Sequence, residues 1–262
     1  ETQIIYALLV AILALLNVGI IGGAIKDVSI PVALVAIGAS LSVGFAGFSA
    51  VGQGITAATA VGGILNNRNL FGRALLFSAI PETQAIYGLL VALIVFMYSG
   101  LLGGLREVSM VLGIAAIAMG FATGIAGLSA IGQGITAATS INNINRKPEL
   151  FGRALLFSAI PETQAIYGLL SSLIISVAIG MFSIIKDLPL EVVLALIGAG
   201  LSIGLAGLSA IGQGITAGAT VNVMSEREGA LGRGLLFSVL SETFAIFGLL
   251  IVILVLIGLS LL

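Results

Sequence analysis

Three carboxylates, Glu82, Glu162 and Glu242, stand inside long apolar stretches. Each follows a glycine-flanked glutamine (Gln53, Gln133, Gln213) by 29 residues. The Gly-Gln-Gly motif itself recurs every 80 residues. Ionisable groups inside apolar helices are costly and rarely kept without a task. A carboxylate repeated at a fixed period in a membrane array points to an ion that is carried.

The neighbours of each carboxylate narrow the ion. In Pro81-Glu82-Thr83-Gln84-Ala85-Ile86-Tyr87 successive helical residues turn by about 100°, so Gln84 lies roughly 200° from Glu82, on nearly the opposite side. Tyr87 follows Thr83 by four residues and Gln84 by three, which puts those three on one face. One helix thus offers a carboxylate to one neighbour and a hydroxyl, an amide and a phenol to the other. A complete site is therefore shared between neighbouring hairpins. This logic assembles three sets: Thr2, Gln3 and Tyr6 with Gln53 and Glu82; Thr83, Gln84 and Tyr87 with Gln133 and Glu162; Thr163, Gln164 and Tyr167 with Gln213 and Glu242. Each holds one negative charge and several neutral oxygens. Oxygen donors are what hard cations select, and one carboxylate neutralises one charge in low dielectric. A proton needs only the carboxylate, so the extra oxygens favour Na+, with H+ as the alternative. Singly, each residue has a plainer reading: a glutamine bonding a neighbouring helix, a proline (Pro81, Pro161) that only kinks, a glutamate paired with arginine. No basic residue stands near the middle of any apolar segment, and joint recurrence at one period favours the ion site.

Composition sets the solvent around these groups. Hydrophobic residues make up 59% of the chain and charged residues 8%, with a mean hydropathy of +1.26; soluble domains carry about 25% charged residues. The chain is an integral membrane protein. A net charge of −1 argues against nucleic acid as a partner. Cysteine, histidine and tryptophan are absent, which excludes thiol chemistry and removes the imidazole as base or metal ligand. Carboxylates, amides and hydroxyls remain, and the chain performs no bond chemistry by itself.

Short polar breaks of two kinds divide the apolar sequence. One kind is Asn66-Asn67-Arg68-Asn69, Asn145-Arg146-Lys147-Pro148-Glu149 and Ser225-Glu226-Arg227-Glu228; the other is Lys26-Asp27, Arg106-Glu107 and Lys186-Asp187. Most segments between them exceed the roughly 20 residues that span a bilayer, and only helices satisfy their backbone there without strand alternation. The expected fold is all-α and membrane-embedded, built of repeated transmembrane helical hairpins. Residues 28–104 carry Gln53 and Glu82, 108–185 carry Gln133 and Glu162, and 190–262 carry Gln213 and Glu242; residues 1–25 form the outer helix of a truncated N-terminal hairpin. Glu1-Thr2-Gln3-Ile4-Ile5-Tyr6 matches Glu82-Thr83-Gln84-Ala85-Ile86-Tyr87, so the sequence opens in mid-repeat and residues upstream of Glu1 are expected. Of ten Lys and Arg residues, seven (Arg68, Arg73, Arg146, Lys147, Arg153, Arg227, Arg233) belong to the first kind of break. The positive-inside rule places those loops in the cytoplasm. The first helix of each hairpin is rich in glycine (Gly44, Gly47, Gly52, Gly54 in one case) and the second is bulkier. Small residues let helices approach closely; a narrow helix joined to a wide one makes a wedge, and wedges set side by side close into a ring.

Gly-Gln-Gly on a glycine-rich helix followed by Pro-Glu-Thr-Gln-Ala-Ile-Tyr-Gly on the next resembles the proteolipid (c or K subunit) of V-type and A-type rotary ATPases. The stretch Leu70–Leu90, which carries the second motif, reappears letter for letter as Leu150–Leu170. The resemblance covers essentially the whole chain, as three hairpins and a half, in a fused form with the sodium-type motif. It implies a c-ring in the membrane made with other copies of the chain and turned against a stator (a/I) subunit whose arginine displaces the bound ion. It also implies a central-stalk subunit at the cytoplasmic loops, lipid around the ring, and the plasma membrane of a prokaryote. In the sodium-dependent members the ion is held by the Glu, the Gly-flanked Gln, and the Thr and Gln of the neighbouring outer helix, while the Tyr hydrogen-bonds the Glu. A backbone carbonyl three residues before the Thr is a further ligand, which here is Ile80 and Ile160. Duplicated proteolipids often lose a carboxylate; every hairpin here keeps one, which implies many ions per turn and a machine able to synthesise ATP.

The last outer helix departs from the pattern. Ser241-Glu242-Thr243-Phe244-Ala245-Ile246-Phe247 replaces the proline with Ser, and the face offered to the next chain has lost both Gln and Tyr. A site at the chain junction, where Glu1 would meet Thr243, is expected to be poor for sodium. A secondary transporter built from repeats is the more distant alternative; such proteins show inverted halves and broken helices, whereas these repeats are parallel and nearly identical.

Overall fold

In lipid every backbone N–H and C=O must find its partner within the segment, and an apolar chain without strand alternation does so as helix. The computed structural model describes residues 2–227 and 229–262, and among them the regular structure is helical. Glu1 and Glu228 lie outside the described residues, and so do the first position of the 1–25 segment, the last position of the Ser225–Glu228 break and the Glu1 side of the chain junction.

Helix α1 (Thr2–Asn17), in the place of an outer helix, comes first among the described residues. Each later inner helix is a pair of coaxial halves: α2 (Ile30–Ala46) with α3 (Ser49–Asn66), α6 (Met110–Ala126) with α7 (Ser129–Arg146), and α10 (Leu190–Ala206) with α11 (Ser209–Glu226). Each outer helix is likewise divided: α4 (Phe71–Ala79) and α5 (Thr83–Ser99), α8 (Phe151–Ala159) and α9 (Thr163–Ala178), α12 (Ala230–Val239) and α13 (Glu242–Gly258). Counted across the divisions, six helices of 29 to 37 residues among the described residues are long and apolar enough to cross a membrane. At about 1.5 Å per residue even the shortest exceeds the ~30 Å hydrocarbon core.

The divisions have local causes. At Gly47–Phe48 the inner helix tightens: Phe48 N–H bonds Phe45 O at 3.0 Å and Val51 N–H bonds Phe48 O at 2.9 Å, both three residues back. The same turn recurs at Gly127–Leu128 and Gly207–Leu208. In the outer helix Pro81 has no N–H to give to Phe77, and Ile80–Glu82 tightens into a 3₁₀ turn closed by Thr83 N–H on Ile80 O. Ile160–Glu162 repeats it. The last outer helix is divided at Leu240–Ser241 without a proline, so Pro81 and Pro161 are not the whole cause. At the far end the chain turns at Gly100 with φ +81°, where a Cβ would stand 2.0 Å from Gly104 O; only glycine is at ease there.

The hairpins stand side by side in two layers. The inner helices pack on one another in chain order, α2 on α6 on α10 and α3 on α7 on α11; α5, α9 and α13 back onto α2, α6 and α10, and α1 lies against α2 and α5. Over an 18-residue apolar stretch the middle inner helix is accordingly 83% buried, against 39% over such a stretch in each of the other two. Two apolar clusters form. One, near the Lys26, Arg106 and Lys186 end, includes Val35, Phe96, Leu112, Met119, Ile175 and Leu196. The other, near the arginine-rich loops, is built on Phe77, Ile141, Phe157 and Val221. The stratum between them holds the glutamines and carboxylates. Large apolar side chains such as Ile4, Leu76, Ile86 and Leu254 point outward, as suits a lipid-facing surface. Since lipid tails are as apolar as leucine, close backbone packing holds the helices together: a Cβ on Gly38 would fall 2.3 Å from Ala116 O.

Candidate ion-binding sites

In the middle set the buried amides find their partners across the hairpin interface. Gln84 Nε2 on α5 donates to Gln133 Oε1 on α7 at 2.8 Å, and Gln133 Nε2 donates to Glu162 Oε2 at 3.2 Å. From the other side the Tyr87 hydroxyl donates to Glu162 Oε1 at 2.6 Å. The Thr83 hydroxyl is 3.2 Å from Gln84 Oε1 and 3.0 Å from the Ile80 carbonyl. The third set repeats this: Gln164 Nε2 to Gln213 Oε1 at 2.8 Å, Gln213 Nε2 to Glu242 Oε2 at 3.2 Å, Tyr167 to Glu242 Oε1 at 2.7 Å. Its Thr163 hydroxyl is 3.1 Å from Gln164 Oε1 and 3.0 Å from Ile160 O. In the first set Gln3 Nε2 reaches Gln53 Oε1 at 3.0 Å, Gln53 Nε2 reaches Glu82 Oε2 at 3.3 Å, and Tyr6 reaches Glu82 Oε1 at 2.9 Å, with Thr2 Oγ1 3.5 Å from Gln3 Oε1. The structure thus brings each of the three sets together, with hydrogen bonds linking residues 49 to 76 positions apart.

Local structure aims these groups. The 3₁₀ turn places Glu82 and Glu162 at the junction of two helix halves, facing their own inner helix. Thr, Gln and Tyr, on the next turn, face the following hairpin. Gln84, Gln133, Gln164 and Gln213 are fully buried, where an amide without partners costs about 1–3 kcal/mol; the carboxylates are half-buried. Both oxygens of each carboxylate accept hydrogen bonds from neutral donors. Each set holds one carboxylate, and among the described residues no group of three or more His, Cys, Asp or Glu could hold a metal ion. An amide carries donor and acceptor on one carbon, and a half-turn about its last bond exchanges them. The amide that donates to a charged carboxylate can therefore present its oxygen to a cation beside that carboxylate.

Two further series of residues, unread in the sequence, border these sets. Thr56 and Thr136, three positions after Gln53 and Gln133, donate across to the next inner helix, to Gly134 O at 3.2 Å and Gly214 O at 2.8 Å. Ser49, Ser129 and Ser209, one turn before each glutamine, have buried hydroxyls without a hydrogen-bond partner. Their recurrence at the glutamine period is the signal that would have found them.

The repeat geometry has a counterpart among known proteins. The family profile of the ATP synthase C-subunit matches residues 37–95, 111–175 and 197–255, once in each hairpin. The chain belongs to the ATP synthase C-subunit family. Among its relatives is the A-type ATP synthase subunit K of Methanocaldococcus jannaschii, 46% identical over 208 residues, which are 79% of this chain and 88% of that protein. The V-type sodium ATPase subunit K of Enterococcus hirae is 33% identical over 139 residues, 52% of this chain and 86% of that one. This member of the family is a fused, three-repeat rotary ATPase proteolipid. It is an integral membrane protein that assembles in a c-ring with itself and with other ATPase subunits.

Proposed function

We propose that the chain carries sodium ions through the membrane on its ring, with at least three competent sites per chain, and so couples Na+ movement to rotation. Each site takes the carboxylate of one hairpin with the glutamine of its inner helix. The Thr, Gln and Tyr of the preceding outer helix complete it, with the Ile80 or Ile160 carbonyl beside the threonine in the second and third sites. The observation that carries the reading is the triple recurrence of one arrangement, in which a single carboxylate stands beside two amides, a hydroxyl and a phenol. A proton requires none of these extra oxygens. A desolvated monovalent cation requires several, and one carboxylate balances its charge. The relation to a sodium ATPase subunit supports the same ion.

Occupied, such a site is neutral and can travel against lipid. Once the ion leaves, the charged carboxylate is expensive in hydrocarbon and is confined to a polar path at a stator subunit, where an arginine would meet it. Gradient-driven passage therefore turns the ring, and ATP hydrolysis at the other end of the machine would turn it back. The domain reading follows: hairpins 28–104, 108–185 and 190–262 each bring one carboxylate, and the 1–25 segment brings the ligands Thr2, Gln3 and Tyr6 to the first. The arginine-bearing turns face the cytoplasm and the central stalk, in a prokaryotic plasma membrane, as the sources of both relatives suggest. The test is carbodiimide labelling of Glu82, Glu162 and Glu242 across pH, with and without sodium. Sodium slowing the labelling of all three supports the reading; labelling set by pH alone makes the same rotor a proton carrier.

A further inference from the structure

Among the described residues, the buried side-chain polar atoms without a hydrogen-bond partner are one residue repeated in each hairpin: the hydroxyls of Ser49, Ser129 and Ser209. Each precedes a site glutamine, Gln53, Gln133 or Gln213, by one helical turn. Serines elsewhere in these helices bond their own backbone four residues back, as Ser78 does to Ala74 O at 2.9 Å and Ser171 to Tyr167 O at 2.8 Å. For these three that carbonyl is already engaged. Phe45 O accepts from Phe48 N–H at 3.0 Å, Ile125 O from Leu128 N–H at 3.0 Å and Leu205 O from Leu208 N–H at 3.1 Å. The tight turn in each inner helix thus occupies the acceptor that a helical serine ordinarily uses.

The register sets each serine against its own outer helix, one turn from the carboxylate. Ser42 Oγ donates to Gly88 O at 2.9 Å, a Cβ on Gly88 would fall 2.7 Å from Ala46 Cβ, and Gln53 Nε2 donates to Glu82 at 3.3 Å. Ser42, Ala46, Ser49 and Gln53 follow one another by four, three and four residues, which is one stripe of the helix. In the middle hairpin Thr123 Oγ1 donates to Gly168 O at 3.3 Å, a Cβ on Gly168 would fall 2.6 Å from Ala126 Cβ, and Gln133 Nε2 donates to Glu162 at 3.2 Å. Ser129 lies between. At about 1.5 Å per residue the serine is roughly 6 Å along the helix from the glutamine that holds the carboxylate, within the swing of one glutamate side chain. Ala46, Ala126 and Ala206 fill the preceding place on the stripe, so alanine would meet a need for small size alone.

A buried hydroxyl without a partner weighs against the state that buries it, by roughly 5- to 150-fold in an equilibrium. In the packed site the carboxylate oxygens are held by the glutamine and the tyrosine. We propose that Ser49, Ser129 and Ser209 are release residues: each hydroxyl, idle in the packed site, donates to Glu82, Glu162 or Glu242 as that carboxylate swings off its glutamine and tyrosine, and so speeds the exchange of the ion. The packed site carries the same idle hydroxyl with the ion as without it, so the serine adds nothing to equilibrium affinity. Only the open site gains a bond.

This inference rests on the sodium reading above, and one experiment separates the two. The assembled ring of the full chain is loaded with radiosodium and chased with unlabelled sodium, as wild type and as Ser129→Ala. In the variant the site at Glu162 is expected to release its ion roughly 5- to 150-fold more slowly, as a slow phase absent from the wild type. The amount of sodium bound, the concentration for half-saturation and the melting temperature should show no loss. Exchange at the wild-type rate overturns the inference and leaves the sodium reading standing. Weaker equilibrium binding or a lower melting temperature also overturns it, because the hydroxyl then holds the packed site together. A wild-type ring that binds no radiosodium removes both readings. Ser129→Cys keeps the volume with only a weak donor and should exchange as slowly as the alanine variant; exchange at the wild-type rate would show that packing, and not the hydrogen bond, sets the speed.

Discussion

Replacing Gln133 with Leu tests the amide's role as an ion ligand with two controls in the same chain. Gln133 is fully buried and stands between Gln84 at 2.8 Å and Glu162 at 3.2 Å. Its loss acts on two states. The ion-free carboxylate loses a donor, which favours neutralisation by either cation. The sodium-bound site alone loses an oxygen, since a proton does not need that ligand. The first effect cancels in the ratio of sodium to proton affinity and the second remains. A neutral dipole on a charged group contributes about 1.5–3 kcal/mol, and each 1.4 kcal/mol is about tenfold, so the preference for sodium over protons should fall at Glu162 by roughly 10- to 150-fold. The assay is peptide-resolved carbodiimide labelling at a pH acid enough for the rate to have reached its plateau. There the sodium concentration that halves labelling reports the ratio directly. Glu82 and Glu242, whose own glutamines are intact, should keep their wild-type midpoints. A Glu162 midpoint within about threefold of wild type, or equal shifts at all three carboxylates, would refute the reasoning.

Three other perturbations have definite outcomes. Glu162→Gln leaves one position of every chain without an exchangeable charge, so ATP-driven ion transport by the complex should be lost; undiminished transport would contradict the site assignment. Gly52→Ala puts a Cβ 2.0 Å from Ala130 O and should cost about 1–3 kcal/mol by overpacking, seen as a lower melting temperature of the purified ring, while Gly72→Ala, with nothing within 4 Å, should not. Ser129→Ala removes a buried hydroxyl that has no partner; leaving such a group unsatisfied costs about 1–3 kcal/mol, so the variant should melt at the same temperature as wild type or higher, and a clear drop would show that the hydroxyl has a partner after all.

The parts of this fold that could be read in advance rest on local, periodic physics. Apolar segments too long for anything but membrane helices, punctuated by Asn66–Asn69 and Lys26–Asp27, give the hairpins directly. The 100° turn per residue set Thr83, Gln84 and Tyr87 opposite Glu82, and so required the site to be shared between hairpins. What was not legible depends on how one helix slides along another. The chain of donors from Gln84 through Gln133 to Glu162 fixes which amide atom faces which oxygen, and no spacing rule specifies that. The bonds of Thr56 to Gly134 O and of Asn143 to Asn222 Oδ1 likewise join residues 78 and 79 positions apart. The tight turn at Gly47–Phe48 was hidden for another reason: glycine in a membrane helix marks close packing as readily as a change of hydrogen-bond register. At Ile80–Glu82 the proline announced the break, yet the same break at Leu240–Ser241 has no such marker.

The central claim, that this ring carries sodium, is tested most directly by ATP-driven uptake of radiosodium into vesicles holding the complete complex, with and without a protonophore. Sodium should accumulate, and collapsing the proton gradient should not slow it. Vesicles that acidify without taking up sodium, or whose sodium uptake stops when the protonophore is added, would contradict the claim.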